Sequence, residues 1–247
     1  MHQKKLALVN DVTGYGRCSI AVALPIVSAL KVEGCILPTA ILSVHTGFHD
    51  YYFDDYTDHM APYIESWKKN GLTFDGISTG FLGSARQIDI VLDFLRDFKG
   101  PHTLAIVDPV MGDNGQLYPS YTQEMCDEMR RLLSYADVVT PNVTEACELL
   151  NLPYRSDRDL SEDDFAAMAK ALTELRQRSD VKWTYLSPAG DFQADGERTG
   201  QYILGGEELT LNNRGESIIS YADYAIAMVD EAVSGRHIQQ RISVVRR

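Results

Sequence analysis

The chain has few cysteines and no long apolar run. Its four cysteines among 247 residues, Cys18, Cys35, Cys126 and Cys147, are too few and too scattered for a disulfide framework, and no CxxC or His-rich spacing predicts a zinc site. No stretch reaches the ~20 apolar residues that a membrane span needs, and the N-terminus lacks a signal-peptide pattern. We therefore expect a reduced cytoplasmic protein with no membrane association.

Positive charge is also scarce. Lys and Arg total 23 against 35 Asp and Glu, which gives a formal net charge of −12. This charge argues against nucleic acid as a partner, because phosphates need a basic surface. The charge is uneven along the chain, with a net of −11 for residues 1–175 and −1 for residues 176–247. Such a shift favours two parts of different character.

Short β-rich runs alternate with helical stretches over most of the chain. Strands are predicted at 5–9, 34–42, 76–79, 104–107 and 137–140, and helices at 19–30, 56–70, 85–98, 123–133, 143–150 and 161–178. The alternation predicts an α/β fold of three layers, α/β/α, with a mainly parallel central sheet. Beyond Pro188 the sequence pattern changes. It predicts short strands and turns within 202–220, a helix at 221–233 and a strand at 242–245.

Two carboxylates follow the predicted strand at 104–107. Asp108 and Asp113 lie in the loop DPVMGD, and Gly112 allows a tight backbone there. In open α/β sheets ligands bind beyond the carboxyl ends of strands, and carboxylates at that place suit Mg²⁺ beside a polyphosphate. The alternative is a strand-ending Asp that caps the next turn.

The next predicted strand ends in a similar way. The segment TPNVTE places Asn142 and Glu145 at the start of a helix, so this loop and the Asp108 loop can converge on one cation. The alternative for Asn142 is a helix N-cap.

Two further loops are candidate binding segments. In SVHTGF, His45 and Thr46 can hydrogen-bond a polar ring substituent and Phe48 supplies flat apolar surface; the alternative is a solvated histidine. Residues 10–19, NDVTGYGRCS, nearly match GxGxxG after the first strand, but this is a weak dinucleotide fingerprint.

Five motifs resemble those of the vitamin B6 kinases, the pyridoxal/pyridoxamine kinase branch of the ribokinase-like superfamily. They are NDVTGYGRCS (10–19), SVHTGF (43–48), STGFLGS (78–84), DPVMGD (108–113) and TPNVTEA (140–146). They occur in order across residues 5 to about 172, so we expect a ribokinase-like region over residues 1–175.

The resemblance implies ATP-dependent phosphorylation of the 5′-hydroxyl of a B6 vitamer to give pyridoxal 5′-phosphate, with Mg²⁺ and ATP and in a homodimer. It places Asp11, His45, Thr46 and Phe81 in the pyridoxal pocket, with Tyr118 on a loop over the site. It places Asp108, Asp113, Asn142 and Glu145 near the ATP phosphates, and Asp108, Asp113 and Glu145 at the metal.

One family feature is missing. These kinases carry a late GTGD-type turn whose backbone N–H groups stabilise the phosphoryl group and whose Asp deprotonates the acceptor hydroxyl. The nearest equivalent after residue 180 is Asp191 in AGDF, but no apolar helical period follows it. We therefore expect no helix there and leave the catalytic base unassigned.

Residues from about 174 resemble instead the C-terminal part of NmrA-like NAD(P)-binding atypical short-chain dehydrogenases. The similar segments are WTYLSPA (183–189), GERTG (196–200) and GESIISYADYA (215–225). This resemblance implies a Rossmann-like fragment over 176–247, packed on the same sheet, in a recombined or engineered chimera. We expect no NAD(P) binding, because that family's N-terminal GxGxxG unit is absent.

Three functions remain open at this point: a B6 kinase, active or degenerate; an NAD(P)-binding oxidoreductase-like protein; and a non-catalytic chimeric α/β scaffold. Because the residues of the proposed pyridoxal pocket lie in residues 1–175, we expect the protein to bind pyridoxal even if it does not phosphorylate it.

Overall fold

The computed structural model describes residues 3–151, 153–154, 184–193 and 195–247. The chain separates into two compact units, Met1–Ala167 and Met168–Arg247. The helix predicted at 161–178 lies outside the described residues. Within the described residues, no helix is long and apolar enough to cross a membrane.

The first unit contains a six-stranded sheet and its covering helices. Its elements are β1 (Lys5–Tyr15), α1 (Ser19–Ala29), β2 (Glu33–Val44), β3 (Phe53–Asp55), α2 (Thr57–Lys69), β4 (Gly76–Thr79), α3 (Ala85–Phe98), β5 (Leu104–Val107), β6 (Gly112–Asp113), β7 (Gln116–Leu117), α4 (Gln123–Leu133), β8 (Val138–Val139) and α5 (Val143–Leu150). The strand order is β3-β2-β1-β4-β5-β8. All neighbours pair in parallel except β2 and β3.

Alternation along β1 separates the two faces of the sheet. Ala7 and Val9 join the larger core, which contains the buried face of α3, while Leu8 packs with α1 on the other side. Side chains of a strand alternate between the two faces of the sheet. Because every residue of 6–9 is apolar, the strand contributes to a hydrophobic core on each face. The three-layer arrangement predicted from the sequence is confirmed.

The second unit has smaller sheets of its own. Its described elements are β9 (Thr184–Ser187), β10 (Asp191–Gln193), β11 (Tyr202–Gly205), β12 (Ile218–Ser220), α6 (Tyr221–Ser234) and β13 (Gln240–Arg246). Strand β13 lies between β11, antiparallel to it, and β9, parallel to it, and β10 pairs with β12. The core packs Ile219, Ala227 and Val244 together.

Two sequence predictions need correction here. The segment beginning at Asn10 was expected as a loop, but β1 continues through it to Tyr15 with a register shift between Asn10 and Val12. Between Pro188 and residue 202 no strand is predicted from the sequence, but Asp191 begins strand β10.

Candidate active site

The candidate site lies at the carboxyl ends of neighbouring parallel strands. Each strand-ending segment is joined to the next by a backbone hydrogen bond, from the N–H of Gly80 to Val9 O (2.9 Å), of Asp108 to Thr79 O (3.2 Å) and of Thr140 to Val107 O (3.1 Å). These bonds hold the segments that follow β4, β5 and β8 at one edge of the sheet, beside the middle of β1 at Val9 and Asn10. This is the edge at which open α/β sheets bind ligands.

Asp108 is the residue directly after β5 and is partly buried. Burial raises the pKa of its carboxyl to about 6, against a lowering by a hydrogen bond from Thr140. A carboxyl whose charge is poorly solvated gains from a cation.

Glu145 joins two loops of the site. Its Oε2 accepts the Asn142 N–H at 2.8 Å while Asn142 Oδ1 accepts the Glu145 N–H at 3.0 Å, which forms a capping box at the start of α5. Its Oε1 accepts the Met111 N–H at 3.2 Å. Asn142 Nδ2 also donates to Gly112 O at 2.8 Å. The N-cap alternative for Asn142 is thus confirmed, and the cap also fixes the Asp108–Asp113 loop.

Electrostatic repulsion connects the acidic groups. Glu145 is only 4% exposed, and burial raises its pKa to about 7, against the hydrogen bond from Asn142, with Asp108 and then Asp113 adding repulsion. The described part of the site therefore concentrates negative charge around Glu145.

The three predicted metal ligands are neighbours and not a closed ligand set. Among the described residues no group of three or more His, Cys, Asp or Glu is arranged to hold a metal ion. Asp113 is exposed in the β6–β7 hairpin, where its Oδ1 accepts the Asn114 N–H. Mg²⁺ usually keeps several waters and takes one or two carboxylates plus substrate phosphates. Asp108 and Glu145 fit that kind of ion.

Tyr118 follows the hairpin, and its N–H bonds to Met111 O at 2.9 Å. Burial raises the pKa of its hydroxyl, and Asp113, Glu145 and Asp108 raise it further. The sequence-predicted loop residue is thus electrostatically coupled to the acidic groups.

Asp11 lies within β1 and is 6% exposed, with its Oδ2 accepting the Thr13 hydroxyl at 2.7 Å. Its neighbour Asn10, absent from the predicted site, accepts the Phe81 N–H at 2.9 Å. A Cβ on Gly80 would lie 2.3 Å from Asn10 Nδ2, so glycine is required there. Asn10 therefore positions Phe81.

His45 and Thr46 follow β2 at the same sheet edge and are exposed. His45 Nδ1 accepts the Gly47 N–H at 3.1 Å, and the ring stacks edge-on against Phe48 at 4.7 Å. The His45 ring is therefore held in a turn and is more than a freely solvated side chain.

A buried amide that the sequence predictions omitted supports Phe81. Gln87 on α3 is fully buried, and its Nε2 donates to Thr39 O at 2.7 Å and to Thr57 Oγ1 at 2.9 Å. Thr39 in turn donates its hydroxyl to Phe81 O at 2.8 Å. The sequence signal that could have identified Gln87 is its position, as a polar residue, on the apolar face of α3.

Asp191 lies at the start of β10 in the second unit. It is exposed and accepts a bond from Gln193 Nε2 at 2.9 Å. Because a strand and not a helix begins there, the backbone forms no helix N-terminal anion site at Asp191.

Comparison with known proteins identifies the class to which this fold belongs. The family model described as phosphomethylpyrimidine kinase matches residues 20–181. A Bacteroides thetaiotaomicron structure named for the same enzyme and crystallised with pyridoxal is 45% identical, covers 74% of this chain and 63% of that one, and superposes with a TM-score of 0.65. Pyridoxal kinase from Lactobacillus plantarum is 27% identical over 86% of this chain and 70% of that one, with a TM-score of 0.62. The fold is ribokinase-like.

The chain belongs to the phosphomethylpyrimidine kinase family. It is also 46% identical over 74 residues, 30% of this chain and 35% of the other, to the uncharacterized Bacillus subtilis protein YwnB. The chain spans about a third of the length of the curated relatives it matches first.

The dehydrogenase-like interpretation of the C-terminal part is not supported. The kinase family model continues to residue 181, and the likeness to the L. plantarum kinase covers 86% of the chain, which is more than residues 1–175. A helix followed by a core strand is common to many α/β folds, so short segments around such a unit are weak evidence of lineage.

The raised pKa values predict how stability depends on pH. A carboxyl with a higher pKa in the folded than in the unfolded state binds more protons when folded, so its stabilising contribution is lost as pH rises. Asp108 and Glu145 shift from 3.8 to about 6 and from 4.5 to about 7. The free energy of unfolding should therefore fall by up to about 1.4 kcal/mol per pH unit through Asp108 between about pH 4 and 6, and through Glu145 between about pH 4.5 and 7.

Urea denaturation of the ligand-free protein and of Asp108→Asn from pH 4.5 to 8 measures this effect. The stability of the variant relative to the native protein should increase with pH, because the variant loses one titrating carboxyl and relieves repulsion of Glu145. A pH-independent difference contradicts the prediction.

Proposed function

We propose that the protein binds a B6 vitamer together with Mg²⁺ and ATP, and that its chemistry is phosphoryl transfer to the 5′-hydroxyl. In that step the 5′ oxygen forms a bond to the γ-phosphorus, and the bond from that phosphorus to the β–γ bridging oxygen breaks and releases ADP. The hydroxyl proton passes to solvent, because no residue is assigned as the base. The observation that carries the proposal is the pair of buried acidic groups, Asp108 and Glu145, at the carboxyl edge of the parallel sheet.

The acidic group is the proposed phosphate side. Mg²⁺, when bound, would screen the charge of the ATP phosphates. Asp108 and Glu145 would hold the ion with water and phosphate, and Asn142 would keep the Asp113 loop in place through its bond to Gly112 O. Tyr118, 38% exposed beside these groups, would cover the reacting atoms.

The middle of β1, with Asp11, and the segments after β2 and β4 are the proposed vitamer side. Phe81, fixed by Asn10 and Thr39, offers a flat apolar face, and His45 and Thr46 offer hydrogen bonds to ring substituents. The B. thetaiotaomicron relative that contains pyridoxal is 45% identical, and this supports a B6 vitamer ahead of a hydroxymethylpyrimidine.

Turnover should be slow, because the described residues supply no GTGD-type turn and Asp191 begins a strand. Absence of a general base typically lowers the rate by about 10²–10⁴. Pyridoxal binding is expected to survive, since it uses the residues of the first unit.

Calorimetric titration with pyridoxal, and absorbance of the pyridoxal phosphate formed with Mg²⁺ and ATP, test the proposal. We expect Thr46→Val to weaken pyridoxal binding by about threefold to tenfold, and the exposed Thr73→Val to leave it unchanged. Binding of hydroxymethylpyrimidine without pyridoxal would reassign the substrate. Binding of neither would leave a non-catalytic scaffold and contradict the proposal.

A further inference from the structure

A polar cleft in the second unit has no part in the proposed kinase chemistry. Its volume is about 340 Å³, and its lining includes three arginines, Arg214, Arg246 and Arg247. The remaining lining side chains are nearly all polar: Thr199, Gln201, Asn212, Glu216 and a single apolar Ile218. The three arginines concentrate positive charge at this cleft, although the whole chain has a net charge of −12.

The guanidinium groups are only partly neutralised. Arg246 pairs with the exposed Glu197 at 3.1 Å. Glu216, the acidic group of the lining, accepts a bond from Asn212 Nδ2 at 3.3 Å. Within residues 184–193 and 195–247, no ion pair is formed by the side chain of Arg214 or of Arg247. Donor capacity therefore remains for an added anion.

The backbone around the cleft is held in place before any ligand arrives. On one side Thr199 is fixed by Asp223, which accepts its backbone N–H at 3.0 Å and its hydroxyl at 2.6 Å. On the other side Asn212 Oδ1 accepts the N–H groups of Arg214 at 2.9 Å and Glu216 at 3.0 Å. Arg246 lies in β13, opposite Tyr202 of β11. Because these groups are already ordered, ligand binding costs less conformational entropy.

The chemistry of the lining selects the class of ligand. A guanidinium presents a planar fork that binds phosphate or carboxylate oxygens through two parallel hydrogen bonds. An almost wholly polar wall offers little to an adenine ring or a lipid chain, which need apolar surface. We propose that this cleft binds a small phosphate group, either inorganic phosphate or the phosphate of a small phosphorylated metabolite. Arg214 and Arg247 are its main donors, and Arg246, which keeps its pair with Glu197, adds the remaining N–H groups of its guanidinium.

Calorimetric titration of the full chain with inorganic phosphate and with glycerol 1-phosphate, at low constant ionic strength, tests this proposal. We expect saturable binding of at least one of them. Arg214→Gln should weaken it by about tenfold or more, and Arg246→Lys should weaken it despite the retained charge, because lysine lacks the fork. The matched control Arg236→Gln removes an exposed arginine that does not line the cleft and should leave binding unchanged.

The two ligands separate the possible sources of the phosphate. Equal affinity assigns a free-anion site, and tighter binding of the ester assigns a phosphorylated metabolite. Asp108→Asn, which disables the proposed kinase site, should leave this binding intact, so failure of one proposal is distinguishable from failure of the other. Absence of binding, or an equal loss in Arg214→Gln and Arg236→Gln, overturns the assignment.

Discussion

Replacement of Asp108 by asparagine is expected to abolish the stabilisation of the protein by Mg²⁺ and ATP while leaving the ligand-free fold at least as stable. The carboxylate is the proposed contact to the ion, and an amide has no charge to hold it. The same carboxylate is poorly solvated and repels Glu145, so its removal relieves a cost. A loss of ligand response with a gain in stability is the signature of a functional charge.

Thermal unfolding with and without Mg²⁺ and ATP measures this effect at pH 8. A ligand at about 100 times its Kd adds about 2.7 kcal/mol to the free energy of unfolding, and the variant should show almost none of that gain. Any pyridoxal phosphate formation should fall by about 10²–10³.

Asp137→Asn is the matched control. Asp137 precedes β8 at the opposite edge of the same sheet, where its Oδ2 accepts the Ala105 N–H and pairs with Lys99 at 2.9 Å. This variant should lose some stability but keep its response to Mg²⁺ and ATP. A normal response in Asp108→Asn would show that the acidic group does not bind the nucleotide.

The sheet of the first unit is largely predictable, and the reasons are local. Apolar runs such as residues 104–107 are buried on one face and half-buried on the other. Side-chain caps mark helix starts, such as Ser84, which accepts the N–H of Gln87. Strand β1 was predicted too short because its second half, with Asn10, Asp11 and Thr13, is polar. Pairing with β2 along almost its whole length outweighs the low strand propensity of Asn10 and Asp11.

The sequence predicted where the site residues lie but not the hydrogen bonds that join them. The strand-end rule located Asp108 and Glu145, whereas the bond from Glu145 to the Met111 N–H depends on tertiary structure. The β6–β7 hairpin that fixes Asp113 was missed, although Asn114-Gly115, both with positive φ, is a strong hairpin signal. Asn10 and Gln87 act through buried hydrogen bonds between distant segments, which sequence periodicity does not report.

In the second unit, Asp223→Ala is expected to lower the free energy of unfolding strongly. Asp223 is fully buried in the first turn of α6, and its carboxylate accepts the N–H of Thr199, the Thr199 hydroxyl and the N–H of Gly200 at 2.8 Å. Burial raises the pKa of Asp223, but the hydrogen bonds from Thr199 and Gly200 outweigh it and lower the pKa below its ordinary value. Alanine leaves these donors without their acceptor, at a cost of about 3 kcal/mol or more.

Urea denaturation and hydrogen exchange together test this expectation. Exchange should accelerate in β11 and β13, which adjoin the Thr199 loop, and stay unchanged within residues 3–151. Asp223→Asn, which keeps an acceptor oxygen, should lose less, and the exposed Asp195→Ala should lose nothing. Because the folded pKa is lowered, the contribution of Asp223 is present above about pH 4 and disappears as pH falls further, so the difference between native protein and Asp223→Ala should shrink in acid. A difference that stays constant from pH 5 down to the lowest pH at which the native protein is folded would mean that packing, and not the charged hydrogen bonds, explains the loss.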